Sequence, residues 1–467
     1  MITAHILEPD QRDDMLKTNA RAISVAPAER LLLGIFIILI PFQDSALQGT
    51  PLRFLGASPA FIPLLLILFL RLARTTTSTA LNRNPFLLMI IAAFATLLTS
   101  YYSIFIYMDK YSFSFLGYKL FSNGILYFFA LYAIFALRYQ NTNIRRFVIA
   151  SFVLAAGGLV VTALLHLRFF EYKTIFHFTP NSNLRPRGFS MEASDFGATI
   201  GSLSLLSAHY ARKIFRPIIL AIGTGAIIFS GSKGSIATWT ISIVFILVYI
   251  MSHDTKTNHT KLLAYLFTAC AGAVILFIGY DYVLGMLYQS LPTTTIPTRV
   301  TMAFTALYIS LTSPLGVGLS GVIPAVSQNV PHVVHFLQNM GFDNLNYTEV
   351  LGYANDPTGN DISAKSFFFT GIMIWGFPFI ILYIWFNTTL FTRLWKYNNT
   401  PYLFGAFTFS FVGLSSYVGL LNLYCLSMVY GILYETCFRK GVNRSTRFSI
   451  SSKSRGAGGH PIENRGT

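Results

Sequence analysis

Carboxylates are scarce in this chain, with 18 Asp and Glu against 34 Lys and Arg, and charge of either sign reaches only 11% of its 467 residues. That leaves too little polar surface for a soluble protein of this length, so length does not convert into soluble domains in the usual way. Cysteine is scarcer still. Cys270, Cys425 and Cys437 are the only three, all in or at the end of apolar runs. Their spacing suits neither a disulfide framework nor a metal site, which leaves them as small core residues. The chain also lacks a His-Glu-x-x-His pattern, a Gly-x-Ser-x-Gly elbow and the Gly-x-x-x-x-Gly-Lys-Ser/Thr spacing of a P-loop. Zincin, serine-nucleophile and nucleotide-cradle readings therefore have nothing to rest on. No internal repeat is visible. The short basic region that opens a cleaved signal peptide is missing too, since Asp10, Asp13 and Asp14 sit beside Arg12 and Lys17. The first apolar run is therefore expected to stay as an anchor.

What the chain has instead is apolar length. Hydrophobic residues make up 53% and mean hydropathy is +0.55. A hydrocarbon core about 30 Å thick needs about 20 apolar residues of helix, and Pro85–Tyr107, Phe147–Leu167 and Lys261–Tyr280 supply that almost without charge. The pattern predicts an all-α polytopic membrane protein of about 12 transmembrane helices. The spans fall at 30–48, 54–73, 85–107, 116–138, 147–167, 193–211, 216–231, 234–252, 261–282, 366–387, 401–418 and 420–438. An even number puts both termini on one side. Connections carrying Arg71, Arg74 and Arg83, then Arg138, Arg145 and Arg146, then Arg212, Lys213 and Arg216, then Lys256 and Lys261, then Arg393 and Lys396 alternate with less basic ones. The positive-inside rule assigns them to the cytoplasm, together with an N-terminal segment 1–29 and a basic, disordered tail 439–467. The net charge of +16 and pI of 9.7 then reflect anchoring and attraction to anionic lipid rather than to nucleic acid.

Two stretches on the other side of the membrane domain 30–438 stand out. Leu167–Met191 holds Arg168, Glu171, Lys173, His177, Arg185 and Arg187, a basic excess where the rule would not put one. The second, 283–365, is too long for a plain connector and too rich in aromatic and apolar residues for disorder. It is expected to be a partly helical lid with an interfacial helix from Arg299 to about Leu311.

The densest constellation is RPRGFSMEASDFG, residues 185–197. Its acids, Glu192 and Asp195, suit the first turn of a helix, with Ser190 or Ser194 as cap. Arg185 and Arg187 ask for more, because two guanidinium groups at the outer surface can fork onto phosphate oxygens. Glu192 stands beside those arginines and at a helix start. It reads as a holder of Arg187 rather than as a base. The turn GSKGS, 231–235, either cradles an anion with Lys233 or is a helix hairpin with a snorkelling lysine. Arg299 is an interfacial anchor or a second phosphate clamp. His332 and His335, three apart in the long loop, are a weak metal pair and better candidates for substrate contact or a general base. Lys365 and Ser366, where the loop returns to the membrane, read as anchor and cap or as further substrate contacts.

Together these pieces resemble the O-antigen polymerase and O-antigen ligase superfamily of bacterial envelopes. The matching pieces are Arg-Gly-aromatic-x-x-Glu at Arg187 to Glu192, Ser-Lys-Gly-Ser at Ser232 to Ser235, and an arginine helix closed by Pro-Leu-Gly-x-Gly from Arg299 to Gly318. The loop then returns through Ser363-Ala364-Lys365-Ser366 to Gly371 and Gly376. Ligases and many of their relatives carry His-Asn at that return, where this chain has Lys365-Ser366, which weakens the ligase reading, ranks a polymerase ahead of it and leaves the general base unassigned. It implies a multi-pass protein of the bacterial inner membrane, with its active face periplasmic. The reaction would be metal- and cofactor-independent glycosyl transfer from an oligosaccharide on undecaprenyl pyrophosphate, with Arg187, Glu192 and Arg299 at the centre. A chain-length regulator and a flippase of the same pathway would be partners. A lipid-linked oligosaccharide flippase or other transporter is the rival class. It would place charges inside its spans and show repeated halves, and neither is visible here.

The alternation of basic connections makes a topological prediction. Reporter fusions after Arg74, Arg146 and Lys440 should read cytoplasmic, and fusions near Tyr172 and Asn346 should read external. A cytoplasmic signal at Asn346 would overturn the orientation.

Overall fold

Apolar stretches of this length satisfy their backbone groups most simply as helices, which keep every N–H and C=O bonded within one segment. A computed structural model describes residues 27–45, 47, 50, 58–75, 83–137, 144–165, 186–253, 295–355, 366–396, 400–419 and 424–438, and these contain helices and no strand. In chain order the helices are α1 (Pro27–Leu39), α2 (Phe61–Thr75), α3 (Arg83–Tyr107), α4 (Phe113–Leu137) and α5 (Ile144–Leu165). Then come α6 (Ala193–Tyr210), α7 (Arg216–Ser230), α8 (Lys233–His253), α9 (Thr295–Thr312) and α10 (Gly318–Asn339). The last named are α11 (Thr348–Asn355), α12 (Phe367–Lys396) and α13 (Pro401–Ser416). A further helix covers 424–438.

The chain is an α-helical membrane protein. Among the described residues, four stretches are long and apolar enough to cross a bilayer: Ile144–Thr162, Lys213–Ser230, Lys233–His253 and Phe367–Lys396. The expected spans at 30–48, 54–73 and 401–418 instead hold helices of 13, 15 and 16 residues, short of the usual crossing length. The first ends at Leu39, because Pro41 and the polar Gln43-Asp44-Ser45 turn the chain there. The expected span 261–282 lies outside the described residues. On α12 the outward face exposes Ile381, Leu382 and Trp385, the kind of apolar surface that lipid covers.

Helix α6 sits at the centre, with 15 of its 18 residues buried. A helix packed on all sides needs small residues to let neighbours approach. A Cβ at Gly197 would fall 2.2 Å from Ser235 Oγ, and one at Gly201 would fall 2.4 Å from the Phe409 ring. Helices α5, α7, α8 and α13 surround it.

The segment between α8 and α12 has a core of its own. Met302, Ala306 and Ile309 of α9 pack with Val326, Val330 and Val334 of α10 and with Tyr347, Val350 and Tyr353 around α11. Helix α10 also lies along α3, where Ser100 Oγ accepts from Leu319 N at 2.8 Å and Ser320 Oγ donates to Ser100 O at 2.6 Å. The Pro-Leu-Gly-Val-Gly motif makes a backbone crossing. Gly376 (φ 61°, ψ −145°) breaks α12, so Met373 O accepts from Val317 N at 2.8 Å and Phe377 N donates to Pro314 O at 2.9 Å.

Charge separates to the two ends of the bundle. At one end Glu29 pairs with Arg71 at 3.4 Å, Arg71 lies over Tyr132 and Arg393 lies 3.7 Å from the Phe438 ring centroid. His253 donates to Trp395 O at 2.7 Å at that same end. Helices α6, α8 and α12 begin at the opposite end, where Arg187 and Lys233 also lie.

The backbone crossing is testable. A Cβ on Gly376 would stand 2.0 Å from Pro314 O and one on Gly316 would stand 2.3 Å from Ile374 O, both at positive φ. Gly376→Ala and Gly316→Ala should each destabilise by about 1–3 kcal/mol or more, seen as a lower Tm in detergent. An unchanged Tm for both would show that the crossing tolerates side chains.

Candidate functional site

The site end is assembled from four pieces of sequence, beginning with an acid that the apolar pattern hides. After α1 the Phe42 ring stacks on Phe189 at 4.7 Å. Gln43 N and Asp44 N both donate to Phe189 O, at 3.0 and 3.1 Å, and Gln43 Nε2 donates to Thr199 Oγ1 at 2.7 Å. Gly188 turns the chain at φ 53°. Arg187 can then reach back, with Nη2 at 3.6 Å from Asp44 Oδ2 and Nη1 donating to Met191 O at 2.6 Å. Both side chains are buried, at 4% and 0% exposure. Burial pulls the Arg187 guanidinium below the usual arginine range, against which Asp44 and then Glu192 hold it up. The close carboxylate is thus Asp44, whereas the sequence reading gave that role to Glu192. Glu192 is exposed at the N-cap of α6, makes no cap bond and accepts from Ser194 Oγ at 3.2 Å.

The second piece is the turn between α7 and α8. Gly231 closes α7 in the left-handed region, and Lys233 starts α8 on the surface. Ser232 and Ser235 share a hydrogen bond of 2.8 Å, and Ser235 Oγ donates to Ser194 O at 3.4 Å. That contact joins the turn to the first turn of α6, where Asp195 is buried.

The third piece is Arg299, in the second turn of α9. Glu349 accepts from Thr298 Oγ1 at 3.0 Å and from Tyr353 OH at 2.9 Å, tying α11 to α9 one residue before it. Arg299 Nη1 donates to Ser416 O at 3.3 Å. The fourth piece, the end of α13, is the hub. Ser366 Oγ donates to Leu414 O and Ser415 O, at 3.0 and 3.2 Å, and Phe367 N donates to Val418 O at 2.8 Å. The Tyr417 ring covers Gly234 so closely that a Cβ there would lie 2.8 Å from it. The Tyr417 hydroxyl is buried beside the Ser235 and Thr238 hydroxyls and in the field of Asp195 and Arg299.

Arg187, Glu192, Lys233 and Arg299 therefore lie on adjoining elements at one end. His332 and His335 do not join them. They occupy exposed positions one turn apart on the 22-residue α10 rather than a loop, and His335 Nδ1 pairs with Asn339 Nδ2 at 3.0 Å. The buried face of α10 is Val330, Val333, Val334 and Leu337. Among the described residues no three His, Cys, Asp or Glu come together in a way that would hold a metal. Arg185 and Lys365 lie outside the described residues. The residues that sequence reasoning missed are Asp44 and Tyr417. A signal existed for Asp44, the only acid between Glu29 and Asp109, because a lone ionisable group in apolar sequence marks a functional position by default.

No protein-family model and no solved structure matches the chain. A protein of Klebsiella pneumoniae described as "Uncharacterized 49.5 kDa protein in cps region" is 27% identical over 365 residues, covering 75% of this chain and 79% of that one.

The join between α6 and α8 carries a prediction. Gly197→Ala sets a methyl against Ser235 Oγ and should cost about 1–3 kcal/mol, as overpacking does. Ser235→Gly in the same chain should return most of the lost Tm. Failure of the second change to rescue the first would show that these two helices are not in register as described.

Proposed function

We propose that this protein polymerises lipid-linked oligosaccharide repeat units. The reaction is glycosyl transfer from undecaprenyl pyrophosphate to a sugar hydroxyl of a second lipid-linked unit, at the periplasmic face of the inner membrane. The observation that carries the reading is the gathering of Arg299 and Lys233 with the starts of α6, α8 and α12 at one end of an apolar bundle. Cations and helix N-termini gathered at one end favour an anion there. The pyrophosphate leaving group of a lipid-anchored donor is such an anion, sited at the height of the bilayer surface. As the glycosidic bond breaks, negative charge grows on its oxygens, and fixed positive charge lowers that barrier without a divalent ion. The donor bond already stores the energy, so no nucleotide is required. The clustering of Arg71, Arg216, Arg393 and Lys396 at the far end suits a cytoplasmic side there by the positive-inside rule. The Klebsiella pneumoniae relative supports the same direction, with cps read as capsular polysaccharide.

The reading is tested with purified protein in lipid nanodiscs, given a pyrophosphate-lipid-linked saccharide. Wild-type protein should lengthen the chain. Arg299→Ala should slow turnover about 100- to 1000-fold, and Arg299→Lys should recover little where a planar fork is used. Full-length polymer at the wild-type rate from Arg299→Ala would rule the reading out. A deletion strain separates the rival functions. Single repeats held on lipid mark a polymerase, complete but unattached chains mark a ligase, and substrate trapped in the cytoplasm marks a flippase.

A further inference from the structure

Arg187 and Arg299 look alike in the sequence, each in a short motif at the outer surface, yet their surroundings differ. Arg299 is half-buried at the end of α13, and Lys233 stands exposed at the start of α8. Arg187 is enclosed, with Nη1 on Met191 O and Nη2 on Asp44, so it turns no open fork toward a phosphate. Every contact of the 42–44 segment named above falls on the turn that leads into α6 or on α6 itself. Phe42 stacks on Phe189, two backbone N–H groups share Phe189 O, and Gln43 bonds Thr199. A buried ion pair adds little net stability but punishes the loss of one partner, which suits a group that fixes geometry.

We propose that Asp44 and Arg187 are one positioning unit, setting the 187–192 turn and hence the start of α6, while the anionic part of the substrate is taken up by Arg299 and Lys233. Asp44 is thereby a positioning residue that acts through Arg187. This division of labour rests on the glycosyl-transfer reading for its substrate, but the pairing itself does not.

The test uses the full chain in nanodiscs, with inorganic pyrophosphate as the binding probe and a pyrophosphate-lipid-linked saccharide for turnover. Asp44→Asn and Arg187→Met should each lower turnover per folded molecule by about 100-fold, as small misplacements of a site do. The double variant should be no worse than either single one, and Asp44→Glu should keep part of the rate. Pyrophosphate affinity should stay within about twofold of wild type in all of these, against a loss of about tenfold or more in Arg299→Ala. Arg187→Met strands a buried carboxylate. Should it not fold, the Asp44→Asn/Arg187→Met chain, which strands no charge, carries the affinity arm. The inference is overturned if removing Arg187 weakens pyrophosphate as much as removing Arg299 does, if Asp44→Asn turns over normally, or if the two losses multiply. Wild-type protein that extends no lipid-linked saccharide sinks the glycosyl-transfer reading instead. Thermal unfolding of the same chains then judges the pairing, which requires non-additive losses.

Discussion

The burial of α6 on every side is the constraint from which the rest of the molecule follows. Between helices in lipid there is no hydrophobic drive to associate, so close packing and internal hydrogen bonds must do that work. The sequence of α6 meets both needs with glycines and serines. Gly197 and Gly201 admit Ser235 and Phe409, while Ser204 Oγ returns to Ile200 O at 2.7 Å and Ser207 Oγ reaches Val148 O at 3.4 Å. A neighbour makes the same concession, since Gly223 of α7 gives way to Ser204. Larger residues at these positions would push α7, α8 and α13 outward, and the turn at Ser232–Ser235 would lose its contact with Ser194. The site end thus depends on packing set well inside the bundle.

Electrostatics then divides the bundle by length. An ionic group in the apolar middle is expensive, so the ionic contacts described sit at the two ends. Glu29 with Arg71 closes one end, and Asp44 with Arg187 the other. Glu29 lies in the first turn of α1 and Asp44 five residues past its end, so this short helix is pinned on both sides. The two pairs differ in exposure. Arg71 is a quarter exposed, at 24%, and its pair is partly screened. The Asp44–Arg187 pair is dry, and removing one partner of such a pair costs about 3–5 kcal/mol because the other is left uncompensated.

Much of this was legible, for reasons that name particular residues. Acids at Glu192 and Asp195 with small residues behind them marked the start of α6, and Gly231 with Lys233 marked a hairpin between two apolar runs. Arg299 with periodic apolar residues after it marked α9. What stayed hidden was long-range. No local pattern says that Ser416 O will meet Arg299, or that Asp44 will meet Arg187 across more than a hundred residues. The two histidines misled for a different reason. Pro324 and Pro331 lie inside α10, and proline usually signals a loop. Here α10 rests on α3 and α9, and tertiary contacts offset the lost backbone bonds.

The Pro-Leu-Gly-Val-Gly motif shows how a motif near a site can act without touching chemistry. Its two positive-φ glycines, Gly316 and Gly318, let its backbone press against Ile374 and Ser100. The carbonyl and N–H that the break at Gly376 exposes are bonded by Val317 and Pro314. The upper part of α12, Phe367–Trp375, is thereby joined to the core of α9 and α10 through Met373. Ser366, the residue just before that part, holds the end of α13, and the end of α13 holds Arg299. A closed circuit runs from Arg299 down α9, across the glycine crossing, up α12 and back through Ser366 to Ser416. On the proposed glycosyl transfer, an arginine that meets developing charge without reorganising would gain from such closure, because preorganised charge is worth most where it cannot relax away.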